Sequence, residues 1–171
     1  MRLDDFVPRF QFHEVHTRRI AAPPEQVYEA VWEVRADEIA FFRLLVWLRR
    51  GGRNTPLSIL NPGTRAPLLE VATRTGFTLL ADDRPRELVI GMAVIGTRDA
   101  PDSAFAAMNF LITPDGDASL VRTETRIFAN SDRARRRFGW YWRLIYPGSA
   151  FIRRMWLRAI GRRALRPPQR P

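Results

Sequence analysis

An α+β fold, with one antiparallel sheet packed against a long C-terminal helix, follows from three features of the chain. Four consecutive segments between residues 76 and 128 alternate apolar and polar positions with a period of two. Turn residues separate them and no helical stretch does, so the strands pair antiparallel. The chain then closes on an amphipathic, aromatic stretch from Ser131 to about Leu165 that needs an apolar surface to lie on.

At 171 residues the chain makes one domain with a single sizeable core. It contains no cysteine, which excludes disulfides and thiolate metal sites, and only two histidines, His13 and His16, which argues against a metal centre. No Gly-rich phosphate loop or nucleophile elbow occurs, so no cofactor is expected. All 28 basic residues are arginine, and their distribution is uneven. From Ser131 onward twelve arginines face one acid, Asp132, whereas residues 1–130 carry sixteen arginines against seventeen acids. The net charge of +10 therefore belongs to the C-terminal segment. The opening MRLDDFVPRF lacks the apolar core of a signal peptide, and the longest apolar run, Ile39–Leu48, is interrupted by Arg43. A cytoplasmic location is the expectation.

Residues 1–9 are polar and expected to be poorly ordered. FQFHEVHTRRI (10–20) reads as a strand with Phe12, Glu14, His16, Arg18 and Ile20 on one face. In AAPPEQVYEAVWEV, Pro23 or Pro24 suits the first helical position, and Val27, Val31 and Val34 recur at helical spacing. A second helix is expected from about Asp37 to Gly51-Gly52, and the Gly-, Asn- and Pro-rich residues 50–67 read as a loop. GFTLLADD, ELVIGMAVIG, AFAAMNFLIT and SLVRTETRIF follow as strands, the last two joined by a turn at Pro114-Asp115-Gly116-Asp117. In the closing helix, with Ser131 or Asp132 as cap, Ala134, Phe138, Tyr141, Trp142 and Ile145 share a face; Pro147-Gly148 is expected to break or kink it into two halves. Residues 166–171 form a basic, proline-containing tail beyond a domain spanning 10–165.

With these elements in place, the chain resembles the START-like or Bet v 1-like superfamily, the polyketide cyclase and lipid-transport (SRPBCC) group. The resemblance is carried by RRIAAPPEQVYEAVWEV, by the strand-rich middle and by TETRIFANSDRARRRFGWYWRLIYPGSAFIRRMWLRAI, which is similar to a bacterial subgroup. It implies a helix-grip fold, an antiparallel sheet gripping the C-terminal helix around an internal cavity. It also implies binding of a small hydrophobic ligand, whether lipid-like, polyketide-like or aromatic; some members of the group are cyclases or dehydratases. The family sheet has seven strands where five are read here, with residues 50–67 standing where the second and third would lie. A smaller or more open cavity follows from that difference.

Several side chains are candidates for chemistry within this frame. Glu14 and His16, two apart on a strand, place a carboxylate where it can orient an imidazole for acid–base work. Exposure on an edge strand is the competing reading, because polar strand residues mostly face solvent. Glu124 shares a face with Leu120, Arg122, Arg126 and Phe128, and the period leaves it outside in an exposed ion-pair ladder; a twist or bulge would instead bring it to His16. Asn109 either bonds a ligand carbonyl or lies on the outer face with Ala107 and Leu111. Phe12, Trp32, Trp47, Met92, Met108, Phe110, Phe138 and Trp142 are the expected cavity lining, against the plainer reading of an aromatic stripe as core. Ser149 is expected to cap the second helical half. For Arg154, Arg158 and Arg162 a solvated helix face comes first. Weak contact with an anionic membrane comes second, at about 1 kcal/mol per arginine, and nucleic acid third, since no motif for specific reading is present.

Overall fold

The period-two segments do form strands, and their order decides which residues face the helix. The structure, a computed structural model, describes residues 1–39 and 66–166. The strands are β1 (Phe12–Ile20), β2 (Thr78–Asp83), β3 (Glu87–Ile95), β4 (Ala104–Asp115) and β5 (Ala118–Ala129). They lie in the order β1-β5-β4-β3-β2, every neighbour antiparallel. The helices are α1 (Leu3–Phe6), α2 (Pro24–Glu33), α3 (Leu68–Thr75) and α4 (Asp132–Ala164), with a short 3-10 turn over Ala36–Glu38. This is the expected helix-grip arrangement. The expected second helix beyond Ile39 and most of the 50–67 loop lie outside the described residues, and so does Trp47.

Local chemistry accounts for the element ends. Pro23 and Pro24 open α2, where a missing N–H costs nothing. Ser131 caps α4, its Oγ accepting from the Ala134 N–H at 3.1 Å. Gly116 takes the β4–β5 turn at φ +64°, a conformation side chains rarely adopt. The expected break at Pro147-Gly148 does not occur: α4 runs through Pro147 as one helix. Pro147 and Arg143 are both exposed, so the carbonyl that loses its N–H partner can be met by water.

What changes along α4 is how it is covered. Near its start, Ala134 and Phe138 pack with Ala104, Ile127 and Ala129. Near its end, Met155, Trp156, Leu157, Ala159 and Ile160 enter the main core with α2, α3 and the inner faces of β3 and β4. Between them, from Gly139 to Arg154, no residue is fully buried. Arg163 closes the far end on the carboxylate of Glu38.

The opposite face of the sheet is covered by the N-terminal residues, which carry structure where none was expected. Leu3 and Val7 are buried against Val89 and Ala107. Glu87 holds α1 in place, accepting from the backbone N–H of Arg2 at 2.7 Å and of Leu3 at 3.2 Å. Asn109 donates to Glu87 at 2.7 Å and accepts from the Glu124 N–H at 3.0 Å. The Glu124 carboxylate accepts from Arg126 Nε at 2.7 Å and Arg122 Nη2 at 2.6 Å, and lies 3.1 Å from His13 Nε2. Arg126 continues to Asp4 at 2.7 Å. The ion-pair ladder is therefore on the outer face as the period requires, but it is buried, because α1 roofs it: the Glu124 side chain is 1% exposed.

Two predictions follow. Burial disfavours the charge on Glu124, yet the hydrogen bonds and charges of Arg126 and Arg122 outweigh it and hold the carboxyl below its usual range. Asp4 and Glu38 are also lowered. Depressed folded-state values give stability that is fully present above the ordinary carboxyl range and lost as pH falls from that range through the lowered folded values. Urea unfolding should show stability falling progressively below about pH 5, with Glu124→Gln costing about 3 kcal/mol at neutral pH and flattening that slope. Along α4, Phe138→Ala should cost about 3–5 kcal/mol as a core truncation. Trp142→Ala, at a half-buried position, should cost clearly less in the same assay.

Candidate functional site

Strand register lays out the inner face of the sheet as rows. His16, Thr123, Phe110 and Leu88 form one row, and Glu14, Thr125, Met108 and Ile90 the next. Phe12, Ile127, Ala106 and Met92 form a third. The floor beneath α4 is thus polar toward β1 and β5 and apolar toward β3 and β4.

The polar half is tied to the uncovered middle of α4. Glu14 Oε1 lies 2.7 Å from His16 Nε2, and Ser149 Oγ donates to Glu14 Oε2 at 2.9 Å. A carboxylate only accepts, so this contact places the imidazole proton on Nε2. The Glu14 and His16 side chains are 1% and 10% exposed, so the pair is interior although β1 is an edge strand. One turn beyond Ser149, Arg153 Nη2 donates to Thr125 Oγ1 at 3.0 Å. Its guanidinium carbon stands 5.6 Å from the Trp156 ring centre, and that ring meets Phe110 edge-on at 5.1 Å. Burial lowers the Arg153 pKa to about 10, with Glu14 acting in the opposite sense.

Three polar atoms in this neighbourhood are buried without a hydrogen-bond partner: Arg153 Nη1, Trp156 Nε1 and Thr123 Oγ1. Buried polar groups are almost always paired, so three together mark a place where something polar is wanted.

The apolar part of the site has an aromatic wall. Phe12 meets Phe138 at 5.0 Å and Trp142 at 6.2 Å between ring centres, and Trp142 continues to Tyr146 at 5.5 Å. Among the expected lining residues, Phe12, Met92, Met108 and Phe110 lie on the sheet face toward α4 and Phe138 and Trp142 on the helix; Met108, Phe110 and Phe138 are fully buried core. Trp32 is at the α2 corner, 6.0 Å from the Arg84 guanidinium, with a buried Nε1 of its own that has no partner.

Three expectations are corrected. Asn109 does not face this space; it bridges Glu87 and Glu124 on the outer face. Glu124, on the same outer face, pairs with His13 and cannot orient His16. Ser149 does not cap a second helix but bonds Glu14 from within α4. Sequence reading missed Arg153 and Ser149 as interior groups. The signal was there: Phe138, Trp142, Ser149, Arg153 and Trp156 fall along one helical face, but Arg153 reads as one more arginine of a solvated surface.

The three arginines expected as a solvated or membrane-facing set, Arg154, Arg158 and Arg162, are all exposed, and Arg162 also donates to the Glu38 carbonyl at 2.6 Å. Among the described residues no helix is long and apolar enough to cross a membrane, and no group of side chains is arranged to hold a metal ion. A separate cleft of about 310 Å³ lies on the outer face, beside Val7, Arg98, Phe105 and Phe128. On its rim, Ser103 and Asn130 already bond within the chain.

No protein-family model matches the chain, and no curated protein matches its sequence. Solved structures do resemble it in outline. Protein MLL2253 from Mesorhizobium loti superposes with a TM-score of 0.45 at 15% identity, covering 89% of this chain and 96% of that one. CalU16 from Micromonospora echinospora gives 0.42 at 18% identity, over 90% of this chain and 65% of that one. Ara h 8.0201 gives 0.33 at 8% identity, over 90% and 97%. These likenesses add nothing to what the chain's own side chains say about the site.

Proposed function

We propose that the protein binds a small hydrophobic molecule, lipid-like, polyketide-like or aromatic, between the inner sheet face and the middle of α4. One observation carries the reading: two largely apolar surfaces face each other there and neither is fully covered. On the helix, Trp142, Ile145 and Ile152 are half-buried; on the sheet, Phe12, Met92, Val94 and Ala106 are half-buried. Protein interiors close to crystal-like density when nothing prevents it, so opposed surfaces left partly bare have room for a third body. The helix is also thin at this level. Gly148, Ser149 and Ala150 follow one another, and a Cβ on Gly148 would meet no side chain or sheet atom within 4 Å. The resemblance carried by the opening strand and helix points the same way.

Native mass spectrometry with 1-dodecanol tests this. The wild type should retain the alcohol, and Ala106→Trp, which fills the floor between Met92 and Ile127, should fold normally and lose it. Absence of a complex with the wild type, or equal retention by the filled variant, would overturn the reading.

A second reading, acid–base catalysis, rests on the interior Glu14–His16 contact at 2.7 Å. Here His16 moves a proton and Glu14 orients it. The two readings part on the fate of the ligand. A molecule recovered unchanged after long incubation fits binding alone. One recovered lighter by a single water, with that change abolished by His16→Ala, fits a dehydratase.

A further inference from the structure

We infer that the molecule bound in this site carries a carboxylate, and that Arg153, Trp156 and Thr123 form its head-group anchor. The inference rests on the binding reading above and adds the polar chemistry of the ligand to it.

The argument starts from an unpaired charge. Arg153 is half-buried beneath α4, forms no ion pair among the described residues, and leaves Nη1 buried without a partner. Enclosing a cation away from water is costly unless an anion or several acceptors meet it. Thr125 supplies a single acceptor, to Nη2. Glu14, the carboxylate on the same face, acts on the guanidinium only through space: its oxygens are bonded by His16 and Ser149, and it makes no ion pair with Arg153. The site therefore holds a guanidinium that no carboxylate of the described residues contacts.

The neighbouring orphans narrow the chemistry. Trp156 Nε1 is a donor only, and the Trp156 residue is 4% exposed; Thr123, 2% exposed, carries a hydroxyl that can donate. A guanidinium 5.6 Å from the Trp156 ring, the indole N–H of that ring and the hydroxyl of Thr123, whose strand partner Phe110 meets the same ring, form a donor-rich set, which suits a group that only accepts. A carboxylate is such a group, and a guanidinium binds it with charge-assisted hydrogen bonds. The anchor also lies at the border of the floor: Thr123 pairs with His16 on its polar side and with Phe110 on its apolar side. An acid anchored there would run its apolar body toward Met108, Ala106 and the Phe12–Trp142 wall. The remaining orphans do not belong to this group. Arg122 is on the outer face, bonded to Glu124, and Trp32 is at the α2 corner.

The test compares dodecanoate with 1-dodecanol, two probes with the same chain and different head groups, on the full-length protein by calorimetry and thermal shift. The wild type should bind dodecanoate roughly ten- to one hundred-fold more tightly than the alcohol. Arg153→Met should abolish the preference, bringing the acid-to-alcohol affinity ratio down to about one. Its Tm without ligand should be no lower than that of the wild type, since an unneutralised interior charge has been removed. Should that variant fail to fold, Trp156→Phe keeps the ring and deletes one donor, and should weaken the acid several-fold without affecting the alcohol. Equal affinity for acid and alcohol in the wild type would overturn the head-group assignment while leaving hydrophobic binding intact. Binding of neither probe would overturn both.

Discussion

The seating of α4 on the sheet is the constraint on which the rest of the structure depends. A 33-residue helix is about 50 Å long, against about 40 Å for the longest strands, so no strand can match it end to end. The chain concentrates the contact at two places instead. Phe138 and Ala134 hold one end, and the run from Met155 to Ala164 holds the other, each large buried side chain contributing roughly 1.5–3 kcal/mol. Phe138 and Met155 are seventeen residues apart, about 25 Å along the axis. That interval is secured from both sides without being closed, which is how a rigid domain can keep an uncovered stretch of helix over an apolar floor.

The two faces of the sheet treat polar groups differently, and the difference separates structure from function. On the outer face, Glu87, Asn109, Glu124, Arg126 and Asp4 form a chain of bonds in which each carboxylate has donors and each of these side chains has a partner. Such a network fixes α1 to β3, β4 and β5, and only Arg122, which bonds Glu124 at its edge, keeps a buried Nε without a partner. On the inner face the Glu14 group is satisfied, while Arg153, Trp156 and Thr123 are left with unmet donors. One orphan thus lies at the edge of the outer network, and three lie on the inner side between sheet and α4.

Much of this was legible in the sequence because strand period is a strong signal. The alternation in SLVRTETRIF assigns Glu124 and Val121 to opposite faces, and the one in FQFHEVHTRRI turns Glu14 and His16 the same way as Phe12. What periodicity cannot report is what covers a face. The ladder of Glu124 and Arg126 was legible, but its burial depends on MRLDDFV, a short acidic segment held by Leu3 and Val7 with Met1 and Phe6 beside them. Asn109 was ambiguous for the same reason: an amide between Met108 and Phe110 is on one face or the other according to a register no local signal sets. Arg153 was hidden by its company, since twelve arginines in forty-one residues read as a solvated surface.

Pro147 and Gly148 look different once the helix is seen to continue through them. In isolation the pair reads as a stop signal, since proline removes a helical bond and glycine disfavours helix by about 1 kcal/mol relative to alanine. Both penalties are tolerable in this helix because its ends are held by burial rather than by local propensity. What the pair contributes is small side-chain volume on the turn that faces the polar end of the floor. Ser149, on that same turn, is short enough to bond Glu14 without filling the space, and Arg153, four residues on, reaches Thr125 from the next turn. A bulkier, uninterrupted helical sequence at 147–150 would bring more side chain over Glu14 and Thr125 and crowd the guanidinium that now makes no ion pair among the described residues. The weak point of the helix and the unsatisfied point of the inner face thus fall on adjacent turns.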